Sequence, residues 1–149
     1  MASYDIPQLL QMTCEQLDQL FSASPAGDIP DGSAKGTAII GSGSRFTGEI
    51  AEFVSLFVWQ GKTFGAKRGV LRNRILPLGL NAIVATVYKD KSWLDQQECI
   101  VLDYSETSMV AHWIRDEIRL IAPNFYLGRV YWEKKPLIHF ALQFQQAGT

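Results

Sequence analysis

The sequence predicts a single α+β domain: a mostly antiparallel sheet, strongly curved or closed as a β-barrel, with an N-terminal helix and two further helices. Two strand pairs in the C-terminal half are each separated by a polar loop, which is typical of hairpins. Helices do not alternate regularly with strands, which disfavours a doubly wound parallel sheet. A chain of 149 residues, 47% of them hydrophobic, has the size and composition of one globular domain.

Composition and charge restrict the class of protein. The net charge is −1, so the overall balance lacks the positive charge typical of nucleic-acid binders. The N-terminus lacks a basic start followed by an apolar run, and no apolar stretch has the length of a bilayer span. We therefore expect a cytoplasmic protein without membrane insertion. Cys14 and Cys99 are then expected as reduced thiols.

The N-terminal segment predicts a helical arm. From about Ile6 to Ser22 apolar residues recur at helical spacing, and Pro7 suits a first turn. The following SASPAGDIPDGSAKG is rich in Ser, Pro, Gly and Asp and predicts a loop. Residues 1–32 thus form an arm on a barrel-like body, residues 33–149.

Three segments follow the arm. KGTAIIGSGSR predicts a short strand that ends in a Gly/Ser turn. Thr47 is a good N-cap, and the residues after it predict a helix with Ile50, Phe53, Val54 and Phe57 on one face. KRGVLRNRILPLG predicts a strand with Val70, Arg72 and Arg74 on one face and Leu71, Asn73 and Ile75 on the other.

The remaining elements are two hairpins around a third helix. Ala82–Tyr88 and Glu98–Tyr104 form the first hairpin, and Tyr126–Trp132 and Leu137–Phe144 form the second. On a helical projection centred on Ile114, the apolar arc of the helix includes Val110, Trp113, Ile118, Leu120 and Ile121. The polar side carries His112, Arg115, Asp116 and Arg119, so we expect His112 and Asp116 to be neighbours.

Glu117 projects into the apolar arc of that helix. A buried carboxylate must be paired, hydrogen-bonded or protonated. In the first interpretation, Glu117 forms a salt bridge to a strand arginine, namely Arg72, Arg74 or Arg129. In the second, it faces a ligand as an acid or base with a raised pKa, assisted by His112 or Tyr104, while Arg72 or Arg74 holds an anionic group.

Other residues are candidates for a pocket. Asp103 and Tyr104 end a strand next to Ser105, Thr107 and Ser108, where they either cap the helix or face the barrel mouth. Aromatic residues such as Trp59 and Tyr126, with Asn73 and the two flanking arginines, suit an apolar pocket with a few polar groups. No histidine or cysteine stands at metal-ligand spacing from His112 or His139.

In size and strand layout, the region from about Gly36 to Phe144 resembles the small calycin-type barrels, the group that includes lipocalins. The Gly-x-Trp signature of lipocalins is absent near the first strand, and the helices expected at about Thr47 and Ser108 depart from the pattern. The resemblance therefore implies an architecture, and it carries over no catalytic residue.

Three functions remain open. The first is a small-molecule-binding barrel with a largely apolar pocket and a few polar anchors. The second is an isomerase, cyclase or lyase on the same scaffold, with Glu117 as acid or base; no motif requires a cofactor in either case. The third is an interaction module whose exposed aromatics and N-terminal helix bind a partner or a second copy, which would make a homodimer.

Overall fold

The structure is a computed structural model, and it describes residues 4–30, 32–39, 58–65, 70–76, 80–103 and 114–144. These residues form two helices and eight strands. The helices are α1 (Ile6–Leu10) and α2 (Cys14–Ser22). The strands are β1 (Gly32–Ile39), β2 (Val58–Gly65), β3 (Val70–Leu76), β4 (Leu80–Lys91), β5 (Glu98–Asp103), β6 (Ile114–Ala122), β7 (Phe125–Trp132) and β8 (Lys135–Phe144).

Each strand pairs antiparallel with the next along the chain, and β8 also pairs with β1. Ala34 lies opposite Phe144, and Ile39 lies opposite His139. The turn between β7 and β8 has Glu133 and Lys134 at φ 49° and 71°. Two successive positive φ angles match the right-handed twist of the flanking strands and favour a tight hairpin. The predicted antiparallel sheet with few helices is confirmed.

The predicted N-terminal helix is two helices. Thr13 starts the second one, because its hydroxyl accepts a hydrogen bond from the Gln16 amide at 3.0 Å. The Gln16 side chain accepts one from the Thr13 amide at 2.9 Å, which completes a capping box. Leu17 and Phe21 are the buried residues of α2. Neither described helix has the length and apolar character that a bilayer crossing requires.

The predicted third helix is wrong in its described part. Ile114–Ala122 is strand β6, which pairs with β5 and β7. The helical interpretation failed because both faces of this strand are buried, so its apolar residues do not keep to one face. The helix predicted after Thr47 lies outside the described residues, as do the residues before Ile114 in the third helix; β2 begins at Val58.

Two hydrophobic clusters lie on opposite faces of the sheet. The inner cluster includes Ile100, Leu102, Ile118, Val130 and Phe140, and we call its side of the sheet the inner face. The outer cluster joins α1 and α2 to the other side, the outer face, through Leu9, Leu17, Phe21, Val101, Leu127 and Ala141. The side chains of β8 alternate between the two faces, since Ile138, Phe140 and Leu142 lie in the inner cluster and Ala141 in the outer one.

The segment after α2 covers one end of the inner face. The Leu120 amide donates to the Pro25 carbonyl at 2.9 Å, and the Tyr126 hydroxyl donates to the Asp28 carbonyl at 2.8 Å. Ile29 packs against the inner cluster. Gly27 has φ +74°, and a Cβ there would lie 2.7 Å from Leu120 Cβ, so glycine allows both the turn and the close approach.

Gly128 is a position where the inner face leaves no room for a side chain. A Cβ at this position would overlap the ring of Phe140 on the neighbouring strand. We expect Gly128→Ala to lower the free energy of unfolding by about 1–3 kcal/mol, the usual cost of overpacking a core. Urea denaturation of Gly128→Ala, Phe140→Leu and the double variant measures it. The two changes should offset each other partly, and strictly additive effects would contradict the overlap.

Candidate functional site

Glu117, the acid expected from the sequence, is a fully buried carboxylate on the outer face. Its exposure is 0%, and it is held by four hydrogen bonds. Ser92 Oγ donates at 2.6 Å and the Trp93 amide at 2.9 Å. Arg115 donates from Nε at 3.1 Å and from Nη2 at 3.0 Å. These hydrogen bonds satisfy both oxygens of the buried carboxylate and fix the start of the loop at residues 92–97.

Glu117 does form a salt bridge to a strand arginine, but not to one of the three that were named. Its partner is Arg115 on the same strand, whereas the sequence predicted Arg72, Arg74 or Arg129. In a strand, residues two apart lie on one face. In the predicted helix the same spacing would have separated the two side chains, which is why the pair was missed.

Arg119 is a second charged group that the outer face buries, with 1% exposure. It forms a bidentate ion pair with Asp95, with Nη1–Oδ2 at 2.6 Å and Nη2–Oδ1 at 2.7 Å. It also donates to the carbonyls of Phe21, Glu98 and Gln97, at 2.9, 3.0 and 3.1 Å. One guanidinium thereby joins α2, the loop at 92–97 and the sheet.

A third group of ionic residues lies between α2 and the last hairpin. Asp18 Oδ1 accepts from Arg129 Nε at 2.9 Å and lies 2.7 Å from His139 Nε2. Arg129 Nη1 also donates to the Tyr131 hydroxyl. Burial alone would raise the pKa of Asp18, but the hydrogen bond to His139 and the charge of Arg129 hold it below its usual value of 3.8.

Asp103, a predicted ligand-binding residue, lies on the outer face. It accepts a hydrogen bond from the Tyr88 hydroxyl at 2.7 Å. Burial and this carboxylate raise the pKa of Tyr88 to about 12, so the phenol stays protonated as the donor. The other two residues of the predicted acid-base set, Tyr104 and His112, lie outside the described residues.

Four of the predicted pocket residues lie on β2 and β3, and the backbone pairing of these strands gives their positions in the sheet. Asn73 of β3 pairs with Lys62 of β2 and with Ile83 of β4. Lys62 in turn pairs with Ala34 of β1, a member of the inner cluster, so these four residues form one row across the sheet. The two arginines next to Asn73 and the tryptophan of β2 occupy other rows: Arg72 opposite Thr63 and Val84, Arg74 opposite Gly61, and Trp59 opposite Ile75. Backbone register therefore puts Asn73 in the same row as Ala34 and Arg72 in the adjacent row.

Asp116 is the ionisable residue that sequence reasoning misplaced. It pairs with Leu102 and Val130, both members of the inner cluster, and it is 1% exposed. The sequence placed it beside His112 on a polar helix surface. The signal that would have located it is the strand pattern Ile-x-Asp-x-Ile from Ile114 to Ile118, which puts the carboxylate on the apolar face.

Tyr126 lies on the inner face as well, at the end covered by residues 25–29. Its ring packs edge-on against Phe144 at 5.6 Å between centroids, and its hydroxyl is bonded to the Asp28 carbonyl. Burial raises the pKa of Tyr126. Glu117 and Tyr126 face opposite sides of the sheet, so they do not form one site.

Cysteine and metal chemistry have limited support in the described part of the chain. Cys14 and Cys99 are thiols and do not form a disulfide. Burial, followed by the charge of Glu117, raises the pKa of Cys99 to about 12, which keeps it an unreactive thiol. Among the residues that the structure describes, no three His, Cys, Asp or Glu side chains cluster in a way that could hold a metal ion.

Comparison with known proteins supports the fold alone. No family model matches the sequence, and no curated protein matches it. The chain is similar to the crystal structure of a protein from Thermomonospora curvata, with a TM-score of 0.63 and 15% sequence identity. The alignment covers 91% of this chain and 90% of that one. The similarity supports a mostly antiparallel β-sheet fold with few helices.

The Glu117 network generates a stability prediction. We expect Glu117→Gln to lower the free energy of unfolding by about 3–5 kcal/mol, because it leaves the Arg115 charge without its buried partner. Glu98→Gln is the matched control, because the Glu98 side chain is 65% exposed and its carboxylate lies 3.8 Å from Lys89 Nζ. Loss of this exposed ion pair should lower the free energy of unfolding by less than about 1 kcal/mol. Urea denaturation measures both, and equal effects would contradict a structural role for Glu117.

The Arg119–Asp95 pair generates a pH prediction. The hydrogen bond from Arg119 holds the pKa of Asp95 below 3.8. A carboxyl group whose folded pKa is lowered stabilises the fold above its unfolded pKa, and this contribution is lost as the pH falls through the folded pKa. We therefore expect Asp95→Asn to lower stability at about pH 6 and to lose less on acidification to about pH 3. Parallel acid slopes for the two proteins, measured by urea denaturation, would contradict this linkage.

Proposed function

We propose that the protein binds a small, largely apolar molecule on the inner face of a closed eight-stranded barrel, with Asp116 as the polar anchor. The observation that carries the proposal is the position of this carboxylate, which is buried and pairs across the sheet with Leu102 and Val130 of the inner cluster. Pockets for small molecules are commonly lined by apolar side chains with a few polar groups that fix the ligand's orientation.

The pairing of β8 with β1 supports barrel closure, because it gives every strand two hydrogen-bonded neighbours. A barrel of eight strands is the size at which the interior is either filled by side chains or holds one small ligand. Residues 25–29 cover one end, where Leu120 and Tyr126 lie. Asp116 lies four residues from Leu120, about 13 Å along the strand. The ligand would therefore occupy the half of the interior near Ile114.

The residues of that half indicate the chemistry of the ligand. Ile114, Ile138 and Val130 are buried members of the inner cluster, and Trp132 packs against them. They would bind an apolar body. The Asp116 carboxylate would accept a hydrogen bond from a hydroxyl, amide or amine, so the ligand carries at least one such donor. This proposal requires no cofactor and gives Glu117, on the outer face, no part in catalysis.

Asp116→Leu tests the proposal. Leucine has a similar volume and removes the two acceptor oxygens, so we expect a folded protein that has lost its ligand. The measurement is native mass spectrometry of protein purified from its own host, followed by denaturing extraction and identification of the released compound. The wild type should carry one small molecule with an apolar body and a hydrogen-bond donor.

Asp103→Asn is the control for that experiment, because it changes a strand carboxylate on the outer face. It should keep the bound molecule at wild-type occupancy. Equal occupancy in Asp116→Leu and wild type would rule out Asp116 as the anchor. A wild-type protein that contains no small molecule, whether monomer or dimer, would count against an interior carrier.

A further inference from the structure

We propose that a second binding site, independent of the inner one, lies on the outer face and takes a small planar aromatic carboxylate. The site is a groove of about 590 Å³ between the loop at residues 92–97 and the β7–β8 hairpin. Its volume is in the range of small-molecule sites. The residues that line it and carry the argument are Trp93, Leu94, Gln96, Arg129, Tyr131 and Lys134.

Trp93 provides a rigid aromatic surface in the groove. It is 42% exposed, one of the two large hydrophobic side chains that the described residues leave exposed. Its amide is held by Glu117 at 2.9 Å, the Arg115 guanidinium lies 4.2 Å from its ring centroid, and Tyr131 packs edge-on at 5.0 Å. An indole fixed in this way loses little conformational entropy when a planar ligand stacks on its exposed part.

Arg129 provides a fixed cation. Its Nε is held by Asp18 and its Nη1 by the Tyr131 hydroxyl. Within the described part of the chain, Nη2 makes no hydrogen bond, so a donor remains on a guanidinium whose orientation is already set. Arginine donors recognise carboxylates through short, charge-assisted hydrogen bonds. Oriented in advance, this group would bind a carboxylate with little reorganisation.

The charges around the groove favour an anion over a cation. Lys134 lies in the groove at the tip of the hairpin. Two carboxylates near the groove each pair with an arginine, Glu117 with Arg115 and Asp18 with Arg129, so neither leaves an uncompensated negative charge there. An aromatic carboxylate therefore satisfies both features of the groove, because its ring meets Trp93 and its charge meets Arg129 and Lys134. A neutral aromatic would satisfy only the first.

The test uses 2-naphthoate as the probe and neutral 2-naphthamide as its matched analogue, with Trp93 fluorescence and isothermal titration calorimetry as readouts. We expect naphthoate to bind at least about tenfold more tightly than naphthamide, since charge-assisted hydrogen bonds are about twice as strong as neutral ones. Lys134→Gln should weaken naphthoate binding about threefold to tenfold. Lys135→Gln, at the next residue, which begins β8 and lies outside the groove lining, should leave it unchanged.

Two variants separate this site from the inner one. Trp93→Leu should abolish naphthoate binding, measured by calorimetry, and Asp116→Leu should preserve it. Equal affinity for naphthoate and naphthamide, equal effects of the two lysine variants, binding that survives Trp93→Leu, or no binding of naphthoate by the wild type would each overturn the proposal. None of these results bears on whether a ligand copurifies on the inner face, so the two proposals fail independently.

Discussion

The outer face of β6 carries three ionic side chains at alternate positions, Arg115, Glu117 and Arg119, and two of them are wholly shielded from water. Removing a charge from water costs several kcal/mol unless an opposite charge and further hydrogen bonds replace the solvent. The need for these partners determines which loop residues pack against the outer face of β6. Glu117 holds the start of the loop at 92–97, and Arg119 holds Asp95 in the same loop.

The same row of charges specifies the register of the sheet. Side chains alternate along a strand, so a slip of one residue would bring Arg119 into the inner cluster and expose Ile118 to the ionic layer. Arg119 would then lose Asp95 and three carbonyl acceptors at once. The three ionic side chains therefore raise the free energy of the shifted register more than they lower that of the native one, because buried ion pairs contribute little net stability.

Sequence patterns predicted the parts of this fold that have one polar face or a clear turn. Both C-terminal hairpins were found from their polar loops. The strand at Ile114–Ala122 was mistaken for a helix, because Ile114, Ile118 and Ile121 also fit a period of 3.6. Within the strand, Ile121 belongs to the outer cluster and the other two to the inner one. The competing signal was the two-residue spacing of the charges.

That one error accounts for most of what was missed in the candidate sites. The burial of Glu117 was predicted from its position among apolar residues, and this is correct. Its partner was not predicted, since Arg115 becomes a neighbour only in a strand. Asp116 was assigned to solvent for the same reason. The groove beside Trp93 could not be inferred from periodicity at all, because its lining residues come from a loop and a hairpin and lie 33 or more residues apart in the chain.

The two proposed sites share strand β6 yet depend on different physical forces. Asp116 and Glu117 are adjacent, so their side chains leave the strand on opposite faces. Asp116 pairs with Leu102 and Val130 of the inner cluster, while Glu117 accepts a hydrogen bond from the Trp93 amide at the outer groove. Coupling between them would require β6 to move, and the ion pairs of Arg115 and Arg119 oppose that movement. Because coupling needs a difference in affinity between two states of a shared element, a strand held in one register keeps the two sites thermodynamically independent.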